Sequence, residues 1–409
     1  LMNAPDVTEV VNACDAGREG ELIFKHVYDL SGSKKPVKRL WISSLEDSAI
    51  LDGMQHLRSA EEYRHLAEAA VCRSQADWLV GMNATRAYTT KYFKKLTVGR
   101  VQTPTLAMLV ERAGQISNFQ KEKYFNVELD CDGIPAVKSK IFDPDEAEQL
   151  RSRCQGSEAI VTAVKEAEKK VKAPKLYDLT TLQREANRIY GMTAKQTLDT
   201  AQSLYEKKLI TYPRTDSQYL TEDMEQTARN VVRQIYEKYQ LTGPFDQPEQ
   251  PDVKKVMNNS KVTDHHAIIP TMELTSCHMD ELKSWEEKIL FLIAVHTVMA
   301  MSKDHIYQET EIEVECQGEV FKTKGKTVLQ DGWKIFENCF KNKDRMAIAD
   351  PDQEMKERIP KVTKGQTFYA VAAEKTEHFT SPPKPYSEDT LLAAMETAGN
   401  KEFDEDTEK

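Results

Sequence analysis

Residues 124–131 read YFNVELDC, a stretch in which apolar and polar side chains alternate. Its alternate residues, from Phe125 to Cys131, fall on one face of an extended chain, because successive side chains of a strand point to opposite faces. The stretch ETEIEVEC at 309–316 has the same alternation. Both stretches are therefore predicted to be half-buried β-strands.

A mostly helical stretch, from about residue 176 to residue 302, separates these two strands. The simplest organisation is a β-rich domain that is interrupted by an inserted helical domain. The charged run KEAEKKVKAPK at 165–175, which includes Pro174, is expected to mark one border of the insertion.

The amino-terminal segment has a different pattern. Residues 9–15 are predicted to form a short buried strand, residues 21–30 a helix with apolar residues at helical spacing, and residues 37–42 a second strand. Strand–helix–strand units bind ligands just beyond the carboxyl ends of their strands, where Asp15 and Glu19 lie. The chain after this unit is predicted to be helical to about residue 115.

Composition restricts the class of protein. The 409 residues, 40% hydrophobic and 30% charged, predict roughly two to four domains at about 100–200 residues each. No apolar stretch of the sequence approaches the ~18 residues that a membrane helix needs, and the first residues lack the pattern of a signal peptide. We therefore expect a soluble cytosolic protein.

The charge and the cysteines exclude further classes. The net charge of −10 excludes a uniformly basic nucleic-acid binder. Seven scattered cysteines without a C-x-x-C pair indicate reduced thiols and argue against a zinc site.

The stretch KKLITYPRTDSQYL at 207–220 places Tyr212 two residues before Arg214. A phenol, with a pKa of about 10, is a poor nucleophile until a base or a nearby positive charge favours its anion. Arg214 can supply that charge, or can bind the oxygens of a phosphate under attack. The alternative is structural, with Tyr212 an aromatic residue of a strand and Arg214 a solvated surface residue.

The stretch CDAGREGE at 14–21 places Asp15, Glu19 and Glu21 around two glycines at a strand-to-helix turn. Small residues there let carboxylates approach a hard cation such as magnesium. The alternative is a helix start whose acidic residues complement the helix dipole.

The stretch TDHHAIIPT at 263–271 contains His265 and His266. It lacks the H-E-x-x-H spacing of a metal site, so we expect a histidine that binds phosphate or transfers a proton, with a structural histidine as the alternative.

Two other stretches are less specific. The stretch KYFKKLTVGRVQTPT at 91–105 mixes basic and aromatic residues, as DNA-backbone-binding surfaces and ordinary solvated faces both do. The GKT at 325–327 lacks the earlier glycine of a P-loop, so no ATP site is expected.

Together and in this order, these stretches resemble those of type IA DNA topoisomerases, most closely the bacterial topoisomerase III branch. ACDAGREGELIF is similar to the acidic Toprim motif, and ADWLVGMNATRAYT and VGRVQTPTLAMLVERA are similar to helical DNA-binding segments. LITYPRTDS resembles the active-site tyrosine motif and DHHAIIPT the histidine motif. LYDLTTLQREAN resembles the start of the mobile domain, and SPPKPYSEDTLLAAME the return into the base. The matching stretches extend over nearly the whole chain.

The resemblance implies a multidomain α/β and α+β fold that closes into a ring. The implied parts are a partial Toprim domain (1–45), a helical base (46–118 and 376–409, the second part truncated), a β-rich gate or arch (119–175 and 303–375) and an inserted helical domain with the active-site tyrosine (176–302). The ring would open as a gate for a second strand.

The resemblance also implies the chemistry. Tyr212 would attack a phosphodiester of single-stranded DNA, leaving a 5′-phosphotyrosine bond and a free 3′-hydroxyl. That ester preserves the bond energy, so rejoining needs no ATP, and strand passage would relax or decatenate DNA. Arg214 and His265 would stabilise the pentacovalent phosphate. Glu19 would pass a proton to the leaving 3′ oxygen, and Asp15 and Glu19 would position magnesium for rejoining.

The implied partner is single-stranded DNA, or duplex DNA with single-stranded regions. The expected DNA-binding residues are Arg18, Arg100, Gln102, Thr181, Gln183 and Ser217. The resemblance further implies a monomer in the bacterial cytoplasm, associated with the nucleoid and without a membrane partner.

Three departures from the family pattern qualify these expectations. No strand with the family's additional glutamate and lysine precedes Leu1, and the chain stops soon after the helix near Met395, so a fragment is expected. Gly17 stands where many relatives have a second aspartate, which argues against magnesium being held by three carboxylates as in those relatives. A glycine also occurs there in the topoisomerase III branch.

Two other functions remain open on the residues alone. A Toprim-type primase or nuclease would use only Asp15 and Glu19 with metal, and would form no covalent protein–DNA adduct. A non-catalytic fragment would bind single-stranded DNA in a salt-sensitive way without cleaving it.

Overall fold

The computed structural model describes residues 1–43, 45, 47–241, 251–262, 264–337 and 360–398. The chain divides into two compact units. Unit 1 comprises Leu1–Glu111, Pro174–Ser302 and Tyr386–Lys409, and unit 2 comprises Arg112–Ala173 and Lys303–Pro385. The six-part division into functional domains stays a prediction, and the end of its last part, from residue 399 onward, lies outside the described residues.

The elements are numbered in chain order. The described helices are α1 (Arg18–Ser31), α2 (Asp47–Gln55), α3 (Arg64–Tyr92), α4 (Gln102–Ser117), α5 (Pro144–Cys154), α6 (Leu179–Tyr190), α7 (Ala194–Glu206), α8 (Glu225–Tyr239), α9 (Ser284–Ala300) and α10 (Glu388–Thr397). The described strands are β1 (Val10–Asn12), β2 (Val37–Arg39), β3 (Arg58–Ser59), β4 (Lys123–Cys131), β5 (Ile134–Ile141), β6 (Ala159–Val171), β7 (His305–Cys316), β8 (Glu319–Gln330), β9 (Thr367–Phe368) and β10 (Ala372–Phe379). Short 3-10 turns lie at Ala60–Tyr63, Glu222–Met224, Val253–Val256, Asn259–Lys261, Met272–Leu274, Met279–Glu281 and Gly332–Phe336.

The start of unit 1 is the strand–helix–strand arrangement that the sequence predicts. Strand β1 pairs in parallel with β2, and β2 pairs antiparallel with β3. Helix α1 ends at Gly32, whose φ of 64° is the left-handed conformation typical of a helix C-terminus. The apolar side chains on α1 do not face a core, however. Leu30 is 92% exposed, and the buried residues of the helix are Gly20 and Glu21.

Helices α2, α3 and α4 confirm the helical prediction for the segment that follows. Helix α3 spans 29 residues, of which only Ala70 is buried. Large apolar side chains are exposed along α3, α4 and the segment between them: Trp78, Leu79, Val80, Met82, Tyr88, Tyr92, Phe93, Val101, Leu106, Leu109 and Val110. This part of unit 1 therefore exposes many large apolar side chains among its polar ones.

The insertion at Pro174–Ser302 has its core around α9. Helix α9 is buried without interruption from Ile289 to Ala300. It is apolar on every side, so it must be covered on every side. Helices α6, α7 and α8 pack against it, and α10 packs against α6.

Unit 2 is built on a seven-stranded antiparallel sheet, in the order β10–β4–β5–β8–β7–β6–β9. The alternate residues of β4, from Phe125 to Cys131, are buried as predicted, and so are the corresponding residues of β7, from Ile312 to Cys316. Helix α5 contributes Ala147, Leu150 and Cys154 to the same apolar core.

Tight turns connect the central hairpins of this sheet. Strands β4 and β5 are joined by Asp132 and Gly133, both with positive φ, and β7 and β8 by Gln317 and Gly318, also with positive φ. Two consecutive left-handed residues form the turn whose twist matches that of antiparallel strands. The charged run from Lys165 belongs to strand β6 up to Val171, and so is part of the sheet rather than of a connecting segment.

Two further sequence features have a clear place in the fold. The GKT stretch lies inside strand β8, paired with β7, and not at a strand-to-helix turn as a P-loop would. In the described part of the chain, none of the helices combines the length and apolar character that a membrane span requires.

Candidate active site

The tyrosine and histidine motifs lie side by side in unit 1. The Thr211 amide donates to the carbonyl of Ile269 over 3.0 Å, and the Thr211 hydroxyl donates to the carbonyl of Ala267 over 3.1 Å. The Thr215 hydroxyl donates to the carbonyl of His265 over 3.0 Å. These bonds join segments about 50 residues apart, so Tyr212 and His265 are held by the same backbone contacts.

Tyr212 also contacts the acidic loop at the start of the chain. Its hydroxyl donates to Oδ2 of Asp15 over 2.8 Å, and its amide donates to the carbonyl of Ser43 over 3.2 Å. Burial raises the pKa of Tyr212, and the hydrogen bond to Asp15 raises it further. The phenol is therefore a protonated donor until another group favours its anion.

Arg214 opposes this increase in the pKa of Tyr212. Its exposed guanidinium lowers the pKa of Tyr212 through its positive charge. The aromatic rings of His265 and Tyr205 enclose the phenol, with centroids 4.3 and 5.3 Å from that of Tyr212. The arrangement leaves Arg214 accessible to a polyanion and Tyr212 largely screened from water.

His265 is buried and uncharged at neutral pH. It is 4% exposed, and burial lowers its pKa from the ordinary 6.5 to about 4, with the charge of His266 acting in the same direction. Its Nδ1 lies 3.3 Å from Oγ of Ser43, while Nε2 is buried without a hydrogen bond of good geometry to any described residue. His266 instead donates from Nδ1 to the carbonyl of Ala267 over 2.8 Å. Of the two histidines, His265 is the one beside Tyr212.

The acidic loop is held by Arg39, which the sequence analysis missed. Arg39 is 1% exposed and donates from Nη2 to the carbonyl of Asp15 and from Nη1 to that of Cys14, both over 2.7 Å. Its Nε pairs with Oε1 of Glu21 over 2.6 Å. Glu21 is thus a structural carboxylate and not a ligand free for a metal. The sequence signal for Arg39 was weak, since one arginine in a short strand resembles a surface residue.

The two glycines of this loop differ in how tightly their surroundings are packed. A Cβ at Gly20 would lie 1.9 Å from the carbonyl oxygen of Asp15, so no other residue is accommodated there without a shift. A Cβ at Gly17 would meet Oδ2 of Asp264 at 3.8 Å, which is an ordinary contact. Burial raises the pKa of Asp264, the charge of Asp216 raises it further, and Arg18 opposes both. Asp264 is therefore a further acidic side chain beside this loop, which the sequence analysis had not singled out.

The metal-binding prediction rests on Asp15 and Glu19. Both carboxylates are exposed, and Asp15 already accepts the Tyr212 hydroxyl. Among the described residues no group of three or more potential ligands converges as a metal cage would require. Magnesium is commonly held by one or two carboxylates together with substrate phosphates, so this donor set fits magnesium when a phosphate is present.

The predicted DNA-binding residues fall into two groups. Arg18 and Gln102 are exposed at the starts of α1 and α4, and Arg100 pairs with Asp77 on α3. The other three use their polar side chains within the protein. Thr181 Oγ1 donates to Asp178, Gln183 donates to the carbonyl of Ala194, and Ser217 donates to the carbonyl of Lys261. No contact in the described structure links Arg100 or Gln102 to Tyr212, and all six roles stay predictions.

A comparison with known protein families identifies the family. The family model described as DNA topoisomerase matches residues 61–399. The chain belongs to this DNA topoisomerase family. The predicted resemblance to type IA DNA topoisomerases is thereby confirmed.

The relatives and a solved structure agree with this assignment. DNA topoisomerase 3 of Bacillus subtilis is 40% identical over 403 residues, which cover 96% of this chain and 54% of the relative. DNA topoisomerase 3 of Bacillus licheniformis is 40% identical over 407 residues, with the same coverage. Full-length topoisomerase I of Thermotoga maritima superposes with a TM-score of 0.72 at 24% identity, covering 93% of this chain and 62% of that one. The type IA fold is confirmed, and the chain spans about half the length of the curated relatives it matches.

Proposed function

We propose that this protein breaks and rejoins single-stranded DNA through a covalent bond between Tyr212 and a 5′ phosphate, without ATP, and so changes DNA topology. The observation that carries the proposal is the hydrogen bond from the Tyr212 hydroxyl to Asp15, formed beside His265 and Arg214. A phenol, a carboxylate acceptor, a guanidinium and an imidazole can together supply the nucleophile, the proton acceptor and the charge stabilisation for an in-line attack on a phosphodiester.

Cleavage begins with the Tyr212 oxygen. As it attacks phosphorus, the phenolic proton passes to the Asp15 carboxylate, which already accepts its hydrogen bond. The new bond joins the tyrosine oxygen to phosphorus, and the bond from phosphorus to the 3′ oxygen breaks. Glu19, exposed in the first turn of α1, donates a proton to that leaving oxygen.

The transition state carries additional negative charge on the phosphate oxygens. Arg214 presents two parallel N–H donors to them, and the neutral His265 would donate one hydrogen bond from its Nε2 while Nδ1 accepts from the Ser43 hydroxyl. Magnesium held by Asp15 and Glu19 would neutralise phosphate charge and align the 3′-hydroxyl for rejoining. One phosphoester is exchanged for another in each direction, so no nucleotide hydrolysis is needed.

The substrate and setting are parts of the same proposal. The substrate is single-stranded DNA, or a single-stranded region of a duplex, as the resemblance of the motifs to those of type IA topoisomerases implies. Arg18, Arg100 and Gln102 would contact its backbone from exposed positions. We further propose that the protein acts as a monomer on DNA in the bacterial cytoplasm; the two relatives named above are bacterial proteins.

The test uses oligonucleotides that are labelled at one end or the other and resolved on a denaturing gel. A 5′-phosphotyrosine link retains the DNA on the 3′ side of the break, so only a 3′-end label should migrate with the protein. Tyr212→Phe removes the nucleophilic oxygen and should abolish this adduct. Tyr205→Phe is the matched control, because it removes a hydroxyl from the neighbouring ring, and should retain the adduct.

The outcomes separate the proposal from its rivals. Binding without any adduct would indicate a single-strand-binding protein, and metal-dependent cutting without an adduct would indicate a nuclease. An adduct that persists in Tyr212→Phe would overturn the assignment of the nucleophile.

A further inference from the structure

Two lysines converge on one tyrosine in the segment after Tyr212. The ammonium groups of Lys175 and Lys261 lie 5.6 and 4.9 Å from the ring centroid of Tyr219. Lys261 also donates to the Tyr219 hydroxyl over 3.5 Å. Both lysines are exposed and Tyr219 is half-buried. We call these three residues the Lys–Tyr–Lys cluster.

The charge of this cluster is available to a ligand. Within the described part of the chain, the contacts that these two ammonium groups make are with Tyr219, and neither group is paired with a carboxylate. Two ammonium groups beside an aromatic ring form a typical surface for single-stranded nucleic acid, in which cations contact phosphates and rings contact bases.

Hydrogen bonds connect the cluster to the candidate active site. Ser217 Oγ donates to the carbonyl of Lys261 over 2.9 Å, and Thr215 Oγ1 donates to the carbonyl of His265 over 3.0 Å. The amide of Leu179, at the start of α6, donates to the carbonyl of Thr215 over 3.0 Å. Tyr219 is seven residues from Tyr212, so their α-carbons are at most about 24 Å apart. A strand bound at Tyr212 can therefore reach the cluster within a few nucleotides.

A cavity of about 420 Å³ adjoins the cluster, with Lys175 on its wall. The stacked rings of Tyr177 and His296, 3.7 Å apart between centroids, form its buried side. Its polar wall includes Thr181, Arg184, Arg188 and Gln218. Arg184 is directed by its ion pair with Asp389 and Arg188 by its ion pair with Glu185. Amide, guanidinium and carboxylate groups are those that recognise the edges of nucleobases.

We propose that the Lys–Tyr–Lys cluster and this cavity form a subsite for one nucleotide of the single strand, a few nucleotides from the bond that is cleaved. The phosphate lies between the ammonium groups of Lys175 and Lys261, and the attached base enters the cavity toward Gln218. The inference rests on the proposed function, because it takes DNA to be the ligand. It assigns recognition of one base to residues outside the cleavage chemistry.

The test measures binding without cleavage. The full chain carrying Tyr212→Phe is titrated with fluorescent single-stranded DNA at several salt concentrations, with and without Lys175→Gln/Lys261→Gln. Loss of one phosphate contact should make the slope of log K against log salt shallower by about 0.7, and should weaken binding about fivefold at 0.1 M salt. Lys288→Gln/Lys326→Gln is the matched control, because each of its ammonium groups also lies over an aromatic ring, and should leave the slope unchanged.

A second measurement locates the contact on the DNA. Single phosphates of the oligonucleotide are replaced by neutral methylphosphonates, one linkage at a time. Neutralising one particular linkage should weaken binding about fivefold in the protein that retains Lys175 and Lys261. The same replacement should have no further effect in Lys175→Gln/Lys261→Gln. Removal of the base attached to that phosphate should also weaken binding, and Gln218→Ala should reduce this sensitivity.

The possible results are distinct. The subsite would be overturned if the two pairs of lysine substitutions had equal effects on binding. It would also be overturned if Lys175→Gln/Lys261→Gln left the dependence of binding on the neutralised linkage unaltered. Thermal unfolding of each variant shows whether a loss of binding reflects a loss of folding. The covalent adduct is measured separately, in protein that retains Tyr212. An adduct without the linkage effect would reject only the subsite. The linkage effect without an adduct would reject only the proposed reaction.

Discussion

The buried guanidinium of Arg39 donates from Nη2 to the backbone carbonyl of Asp15 over 2.7 Å. The carboxylate of that same residue accepts the hydroxyl of Tyr212. Asp15 is therefore held on its backbone side by a buried cation and on its side-chain side by the candidate nucleophile. The position of this carboxylate depends on Arg39, although Arg39 itself does not contact Tyr212 in the described structure.

We expect Arg39→Met to destabilise unit 1 by about 3–5 kcal/mol, because Glu21 would remain buried without its partner. Urea unfolding followed by tryptophan fluorescence measures this, since Trp41 lies 5.0 Å from the guanidinium. Arg39→Met combined with Glu21→Leu should recover much of the loss, because neither charge is then left alone. Equal stability of the single and double variants would show that the ion pair does not hold the loop.

Arg214→Ala should lower the rate of adduct formation about 100-fold, as expected when a charged donor to the transition state is removed. Arg214→Lys should recover only part of the rate, because an ammonium lacks the two parallel donors of a guanidinium. Arg233→Ala, which removes an exposed arginine of α8, is the control and should keep the full rate. Full activity of the lysine variant would argue against a bidentate contact with phosphate.

His265 should make stability depend on pH. Its pKa is about 4 in the folded protein, against an ordinary 6.5, so folding favours the neutral form. The resulting stabilisation is complete above pH 6.5 and is lost as the pH falls toward 4, by about 3 kcal/mol in all. The difference in unfolding free energy between the original chain and His265→Gln should therefore shrink by this amount from pH 7 to pH 4. A difference that is constant with pH would show that His265 is not buried as a neutral group.

Magnesium binding tests the carboxylates of the acidic loop. With two exposed carboxylates, the free protein should bind magnesium weakly in calorimetric titrations, and single-stranded DNA should strengthen binding by adding phosphate oxygens. Tight one-site binding without DNA would contradict this arrangement.

Gly17→Asp should strengthen magnesium binding in the absence of DNA. A side chain fits at this position, with its Cβ 3.8 Å from Asp264, and the added carboxylate would give the loop a third acidic ligand. Gly17→Asn has nearly the same shape without the charge and should leave magnesium affinity unchanged. Equal affinities of the two variants would place the added carboxylate away from the metal.

The sequence correctly predicted those elements in which the spacing of apolar residues follows directly from burial of one face. Strand β4 alternates because one of its faces packs in the core of the sheet, and the same holds for β7. The apolar residues of α1 were misleading, because helical spacing does not show whether a face is covered. Leu30 is almost fully exposed.

The site was predicted only in part for a similar reason. The motifs identified Tyr212, His265 and Asp15 one by one, but the hydrogen bond from Tyr212 to Asp15 joins residues 197 positions apart. No local pattern encodes such a contact. Arg39 was missed because an arginine becomes a buried structural residue only through tertiary contacts, here with Glu21 and the loop carbonyls.

The pairing of β6 with β7 has a consequence for how the protein is made. Val171 of β6 pairs with His305 of β7, and about 130 residues of unit 1 are synthesised between them. At roughly 5–20 residues per second, β6 emerges from the ribosome about 7–26 s before its partner strand exists. Lysines and glutamates from Lys165 to Lys170 occupy the edge that stays open during this interval, and such charges discourage pairing with another nascent chain.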